Sequence, residues 1–432
     1  MSPILIAVIL IGTLFVTLAA GVWVGVALAI VGGVAFVFFG TTSFLDGLPV
    51  ALWGSLDSWE LAALPMFVWM GEILFRTKLS EQMFSGLAPW LERVPGRLMH
   101  VNVLACGLFG SVCGSTAATT ATVAKAALPE LKRRGYDEKL CLGSLCGSGT
   151  LGILIPPSVT MIIYAVAANV PIVDLFAAGL VPSAILMVLF MAWIAWRCIL
   201  NPKLAPDDGV RSTWGQRFRA IKELIPVTVL TVAVLGIMML GYATATESAA
   251  FGVLGAIVIA ALSGTLTWAA FRDSLLGTTK VSAMIMLIIA GAAFLTKAMA
   301  YTGIPKALAV WVSSQGFSPA MLIAALVVLY LILGTALDGV SMIVLTAAVV
   351  IPMVQAAGIN LVWFGIFIVL MVELSEITPP VGFCLYILQA MSGRDSNFVA
   401  LAAMPFFFIL VAVTALITAF PNLVMWLPNL LR

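Results

Sequence analysis

Apolar runs of 18 or more residues follow one another from one end of this 432-residue chain to the other, enough for about ten or more membrane spans. No other feature constrains the fold as tightly. Hydrocarbon offers no water to a free amide or carbonyl, so a chain of this kind must be helical wherever lipid touches it. A water-soluble domain needs roughly a quarter charged residues to coat its surface. Here charged residues make up 9% and the mean hydropathy is +1.17. The longest polar stretch, residues 197–222, reads as a loop. The opening MSPILIAVIL has no basic region before its apolar run, so a cleaved leader is not expected. A net charge of +2 without a long basic block excludes nucleic acid as a partner. The single histidine, His100, excludes a His-based metal centre. Six cysteines (Cys106, Cys113, Cys141, Cys146, Cys198, Cys384) form no CxxC pair and read as small buried hydrophobes.

Against this background the stretch LFGSVCGSTAATTATV, residues 108–123, gives up bulk for glycine and hydroxyls. Its surroundings recur. Pro129, Gly135, Pro156-Pro157 and Pro182 are matched at identical intervals by Pro352, Gly358, Pro379-Pro380 and Pro405. Gly110-Ser111 falls into step with Gly334-Thr335, and Thr116 lies near the counterpart of Ser341. Matched prolines at this spacing mark a duplication. The first copy carries Arg76, Lys78, Arg93 and Arg97 before its hydroxyl stretch and Lys132, Arg133, Arg134 and Lys139 after it. The second carries Lys306 before and no basic residue after. By the positive-inside rule the two copies lie inverted in the membrane, with the basic loops of the first copy cytoplasmic and both termini outside.

Both ends of residues 98–130 then face the same side, and 33 residues are too few for two crossings, which need about 40. The segment is expected to be a re-entrant hairpin with its tip at 110–116, and residues 320–357 its mirror image, with GTALDGVS at the tip. Each hairpin is followed by a helix broken at a proline pair, over 141–170 and 361–391, because the pair removes two amide donors and disfavours helix before it. Freed carbonyls suit a small hard cation, and restarted helix N-termini suit a carboxylate. Two broken elements per inverted half point to the binding site of a secondary transporter. The predicted fold is thus an all-α polytopic membrane protein of about twelve elements. Residues 1–200 and 223–432 form two inverted repeats, joined by a basic cytoplasmic linker, 201–222. Residues 4–39 are open to one long helix or two broken near Gly21, and repeat alignment favours two.

Carboxylates inside spans are functional candidates because an unpaired one costs several kcal/mol. Asp338, in the second tip, and Glu373 and Glu376, before the second proline pair, qualify; a salt bridge or helix cap is the plainer role. Glu247 in ATATESAA is expected to cap the following helix with Thr244 or Thr246. Glu72, Lys125 and Lys297 suit interhelical pairing or snorkelling. The twelve tryptophans suit interfaces and packing.

These stretches resemble the large membrane subunit, the M subunit, of the tripartite ATP-independent periplasmic (TRAP) transporters. The likeness is carried by GTLGILIPPSVTMIIYAVAANVPIVDLFAAGLVP (149–182), ATATESAAFGVLGA (243–256), LGTALDGVSMIVLTAAVVIPM (333–353) and ITPPVGFCLYILQAMSG (377–393), and covers about residues 60–405. The resemblance implies sodium-driven import of a small organic acid, such as a C4-dicarboxylate or sialic acid, by an elevator-like movement. It implies delivery by a periplasmic binding protein (the P subunit), a separate small four-helix membrane subunit (the Q subunit), and residence in a bacterial or archaeal inner membrane. Carried over by position, one sodium site involves Ser111, Cys113, Ser115 and Thr116, facing Gly152, Ile155 and Pro157. The other involves Gly334 and Thr335, facing Ser375 and Thr378. Substrate would lie near Ser158, Asp338 and Thr378. No organic cofactor is implied. Two departures stand out: CGST replaces the usual SGSS at the first tip, and LDGVS replaces LDPTP at the second.

Two rival readings remain at this level. One is a stand-alone dicarboxylate transporter or antiporter of the same architecture. The other is an intramembrane hydrolase with Ser115 as nucleophile, for which His100 lies too far from the tip to serve as base.

Overall fold

A computed structural model describes the chain except residues 1–2, 40–43, 78, 208–211, 306, 309, 311–317, 336, 380–381 and 432. Lys78, Lys306 and Pro380, named above, therefore lie outside the described residues. The described residues are helical throughout, with no strand. The chain opens with α1 (Pro3–Ala19) and α2 (Val24–Phe39), so the 4–39 region holds two helices. Gly21 turns the chain between them at φ +76, a conformation that glycine alone adopts without strain. Next come α3 (Phe44–Leu56), a short 3-10 turn (Trp59–Ala62), α4 (Ala63–Arg76) and α5 (Leu79–Leu91). The first hairpin is α6 (Leu98–Cys113) and α7 (Thr116–Arg133). The first broken element is α8 (Glu138–Thr150), a 3-10 turn (Leu151–Ile153) and α9 (Val159–Ala168), and α10 (Ile172–Leu200) completes the half.

Helices α11 (Trp214–Met239), α12 (Ala245–Leu262) and α13 (Trp268–Thr302) follow. The second hairpin is α14 (Pro319–Gly334) and α15 (Gly339–Ala356), and the second broken element is α16 (Leu361–Glu376) and α17 (Phe383–Ser392). The chain ends with α18 (Ser396–Ala419) and α19 (Asn422–Leu431). Among the described residues six helices are long and apolar enough to cross a membrane: α10, α11, α12, α13, α15 and α18. The arms α6 and α14 and the fragments α9 and α17 are apolar but shorter. Helix starts carry the caps their sequences call for. Thr244 and Glu247 form a capping box on α12, with the Thr244 N–H donating to the Glu247 carboxylate at 2.8 Å and the Glu247 N–H to the Thr244 hydroxyl at 3.3 Å.

The duplication is visible in the helices themselves. The starts of α7, α8, α9 and α10 at 116, 138, 159 and 172 recur at 339, 361, 383 and 396, an offset of 223 or 224. Equivalent elements run antiparallel. Glu138, which opens α8, is bonded to Arg394, which follows α17, at 2.8 Å through Nε. At the opposite ends the Tyr164 hydroxyl of α9 donates to the Leu361 carbonyl, where α16 begins, at 2.7 Å. Each half also reaches into the other: α7 packs on α17 and α15 on α9, while α8 lies along α18 and α16 along α10. Around this block α2 and α3 pack on α13, α4 on α12 and α13, and α5 on α11.

The α8–α18 seam is tight enough to require glycine. A methyl group at Gly143 would lie 2.2 Å from the Ala402 carbonyl oxygen, and one at Gly147 would lie 2.6 Å from Phe406. Backbone cannot retreat as a flexible side chain can, and overpacking of this kind costs about 1–3 kcal/mol. Gly143→Ala is therefore expected to lower the thermal unfolding midpoint of the purified protein. Gly215→Ala, where nothing lies within 4 Å, is expected not to lower it. Equal midpoints for the two variants would show that the seam tolerates separation.

Candidate functional site

The first hairpin reverses in two residues. Gly114 takes φ +58 and its N–H donates to the Gly110 carbonyl at 2.8 Å, while Ser115 caps α7 by accepting the Ala118 N–H at 3.5 Å. The tip rests directly on the break after α8. A methyl at Gly110 would lie 2.6 Å from the Gly152 Cα, and one at Gly114 would lie 3.2 Å from the Pro157 carbonyl. From the other side, a methyl at Gly152 would lie 2.7 Å from the Thr119 Oγ and 3.0 Å from the Ser115 carbonyl. The Pro156–Pro157 peptide is cis. Ser158 closes the break: it is fully buried, donates to the Ile153 carbonyl at 2.5 Å and accepts the Met161 N–H at 3.3 Å.

Of the first predicted set, Ser115, Gly152 and Pro157 come together at this contact. Ile155 lies within the turn, its N–H bonded to the Leu151 carbonyl at 3.0 Å. Ser111 is buried and donates to the Leu108 carbonyl at 2.7 Å. The Cys113 sulfur is directed at the Gly71 carbonyl on α4, 3.9 Å away. Sulfur is also a soft ligand, so Cys113 has only its carbonyl to offer a hard cation. The buried Thr116 and Thr119 hydroxyls have no hydrogen-bond partner. Buried hydroxyls are nearly always bonded, so two orphans beside a helix break are an unmet coordination capacity. Neutral oxygens from hydroxyls and freed carbonyls make a donor set that fits a sodium ion. Thr119 was absent from the predicted set, although it stands in the hydroxyl stretch one helical turn beyond Ser115.

At the second tip Gly334 rests on Ser375, where a methyl would lie 2.3 Å from the serine Cβ, and Gly339 rests on Val372. Thr335, Ser375 and Thr378 donate to the carbonyls of Ile332, Val372 and Leu374 at 2.7, 2.7 and 2.5 Å. Each hydroxyl proton is thus spent within its own helix, and each oxygen keeps lone pairs for a ligand. The Thr378 carbonyl accepts the Gly382 N–H at 3.1 Å and spans the break. Asp338 is half-buried and caps α15, accepting from the Val340 and Ser341 N–H groups at 3.1 and 3.2 Å and from the Ser341 hydroxyl.

The acids of α16 are deeper. Glu373 is wholly buried with neither carboxylate oxygen bonded, and Glu376 is 8% exposed with one oxygen unbonded. Among the described residues no group of three or more His, Cys, Asp or Glu side chains is gathered to hold a metal ion. His100 sits at the foot of α6, buried, with Nε2 2.5 Å from the Pro95 carbonyl. Fifteen residues of helix and turn, about 20 Å at 1.5 Å each, separate it from Ser115, so the two cannot form a nucleophile–base pair. All six cysteines are buried and unpaired, as expected.

Comparison with known proteins supplies the family. The model of the tripartite ATP-independent periplasmic transporter, DctM component, matches residues 11–423. The C4-dicarboxylate TRAP transporter large permease protein DctM of Rhodobacter capsulatus is 30% identical, over 98% of this chain and 99% of its own length. The sialic acid TRAP transporter large permease protein SiaM of Vibrio cholerae is 27% identical over 96% of each chain. Among solved structures, the YdaH transporter of Alcanivorax borkumensis aligns with a TM-score of 0.66 over 89% of this chain and 88% of its own, at 15% identity, which speaks to the fold alone. These relatives are transporter permeases and not enzymes. The chain belongs to the TRAP transporters, as a large permease subunit of the DctM family.

Proposed function

We propose that this subunit imports a small organic acid across the cytoplasmic membrane, driven by a sodium gradient. Its partners in this reading are a small four-helix membrane subunit and a periplasmic binding protein that delivers the solute. The observation that carries the reading is the seating of each hairpin tip on a helix break, with orphaned hydroxyls at the first. Thr116 and Thr119, with the carbonyls of Ser115 and Pro157, would hold one sodium ion. Gly334, Thr335, Ser375 and Thr378 would hold a second through carbonyl and hydroxyl oxygens. Such ions supply positive charge that draws a carboxylate toward the tips. Asp338 and Thr378 face the solute in this scheme, and Ser158 keeps the first break in shape. The basic loops of the first half place the foot of the first hairpin in the cytoplasm. Because the two broken elements are bonded at both ends, they would slide as one body against the surrounding helices. The solutes for which these two relatives are named, a C4-dicarboxylate and sialic acid, share a carboxylate and little else.

The direct test is uptake of candidate organic acids into proteoliposomes holding this chain, the small subunit and the binding protein. Uptake is expected to require the sodium gradient and the binding protein together. Uptake without the binding protein would move the chain to the stand-alone class, and uptake driven by protons alone would refute the sodium sites.

Thr119→Val keeps the shape of the side chain and removes the oxygen beside Gly152. It is expected to raise the sodium concentration for half-maximal uptake about tenfold, the scale of one lost ligand contact of about 1.4 kcal/mol. Thr231→Val, which removes another buried, unbonded hydroxyl on α11, should leave that concentration unchanged. Equal sodium dependence in both variants would remove Thr119 from the site.

A further inference from the structure

One cavity in the described structure lies away from the tips. It has a volume of about 870 Å³ and opens where α5, α7 and α11 meet, beside Leu98 at the foot of the first hairpin. Lys125, on its wall, is ten residues past Ser115, so the cavity lies about 15 Å along α7 from the tip. Its lining is electrically lopsided. Arg93, Arg97, Lys125, Arg134 and Arg217 contribute five cations, against the three acids Glu92, Glu130 and Asp207.

The acids are already engaged. Glu92 accepts the Ser212 N–H at 2.9 Å and its hydroxyl at 2.6 Å. Glu130 holds Arg133 and Arg134 at 2.7 and 2.6 Å, and Asp207 holds Arg97 at 2.7 Å. Arg93 and Lys125 have no ion-pair partner among the described residues. Arg217 is only 6% exposed, yet its Nε–H has no hydrogen-bond partner. Its guanidinium carbon lies over the Trp214 ring, 5.2 Å from the centroid, within cation–π range. A buried guanidinium with an unmet donor is costly, and its planar fork matches the oxygens of a carboxylate or phosphate. Basic pockets between membrane helices are suited to the same chemistry.

We propose that this cavity is a second ligand site that takes one oxyanion group, a carboxylate or phosphate, held by Arg217 with Lys125. The oxyanion is either a soluble anion or the headgroup of an anionic phospholipid. The site goes beyond the transport reading and does not depend on what the hairpin tips bind.

The test is the unfolding midpoint of the full chain in phosphatidylcholine nanodiscs, titrated with inorganic phosphate without sodium or organic acid. Phosphate is expected to raise the midpoint saturably, since a ligand that binds only the folded state stabilises it. Arg217→Lys keeps the charge and loses the fork, and Lys125→Gln alters an exposed side chain. Each is expected to weaken the apparent affinity at least about fivefold. Repeating the titration in phosphatidylglycerol nanodiscs separates the sources. If the lipid itself stabilises wild type, fails to stabilise Arg217→Lys and abolishes the phosphate response, the headgroup is the ligand. If the phosphate response persists, a soluble anion is. Identical titrations for wild type and both variants would overturn the site. So would a wild-type protein that neither phosphate nor phosphatidylglycerol stabilises. Neither result would bear on sodium-driven uptake, which uses a different preparation and readout.

Discussion

Everything in this structure follows from the cost of a bare peptide group in hydrocarbon. A helix hides its own amides and carbonyls, so it can face lipid; a break cannot, and must be covered by protein. Among the described residues the helices break after α8, at 154–158, and after α16, from Ile377, and each break is covered by the tip of a hairpin whose glycines allow close approach. Gly110 against Gly152 closes the first of them, and Gly334 against Ser375 with Gly339 against Val372 closes the second. The concealment is incomplete in a useful way. The Thr116 and Thr119 hydroxyls are buried there without a hydrogen-bond partner, and in the proposed scheme a cation would meet that need.

The two halves meet this requirement with different chemistry. The first tip is neutral and rich in hydroxyls. The second carries Asp338 on the hairpin and Glu373 and Glu376 on the facing helix, two of them buried. Positive charge bound at the first tip would attract an acid solute, while the carboxylates of the second would limit where it settles. Two tips related by symmetry of backbone are thus unrelated in charge.

Much of this was legible in the residues because the features that matter are backbone features. Pro156-Pro157 and Pro379 mark where helices stop, and the broken elements fall there, while Pro129, Pro182, Pro352 and Pro405 lie inside helices at matched positions of the two halves. The capping role of Glu247 was equally readable, since Thr and Glu at that spacing have a local geometry. Less was legible where direction decides. Cys113 looked like part of the first site by position, yet its sulfur turns toward Gly71. Thr119 looked like one hydroxyl among many, and only the approach of Gly152 singles it out. The cavity around Arg217 joins residues far apart in the chain, and no local pattern announces it.

The antiparallel pairing of α8–α9 with α16–α17 has a bearing on origins. A single ancestral unit that assembled this way would have paired with a copy of itself lying upside down. One gene would then have supplied both orientations, which requires flanking loops with little charge bias. Once the gene was doubled, each copy was free to commit. In this reading Lys132, Arg133, Arg134 and Lys139 would anchor one copy, and the bare MVQAAGINL loop would release the other. Charge diverged while the punctuation of proline and glycine stayed, because topology can be set by a few surface residues and a helix break cannot.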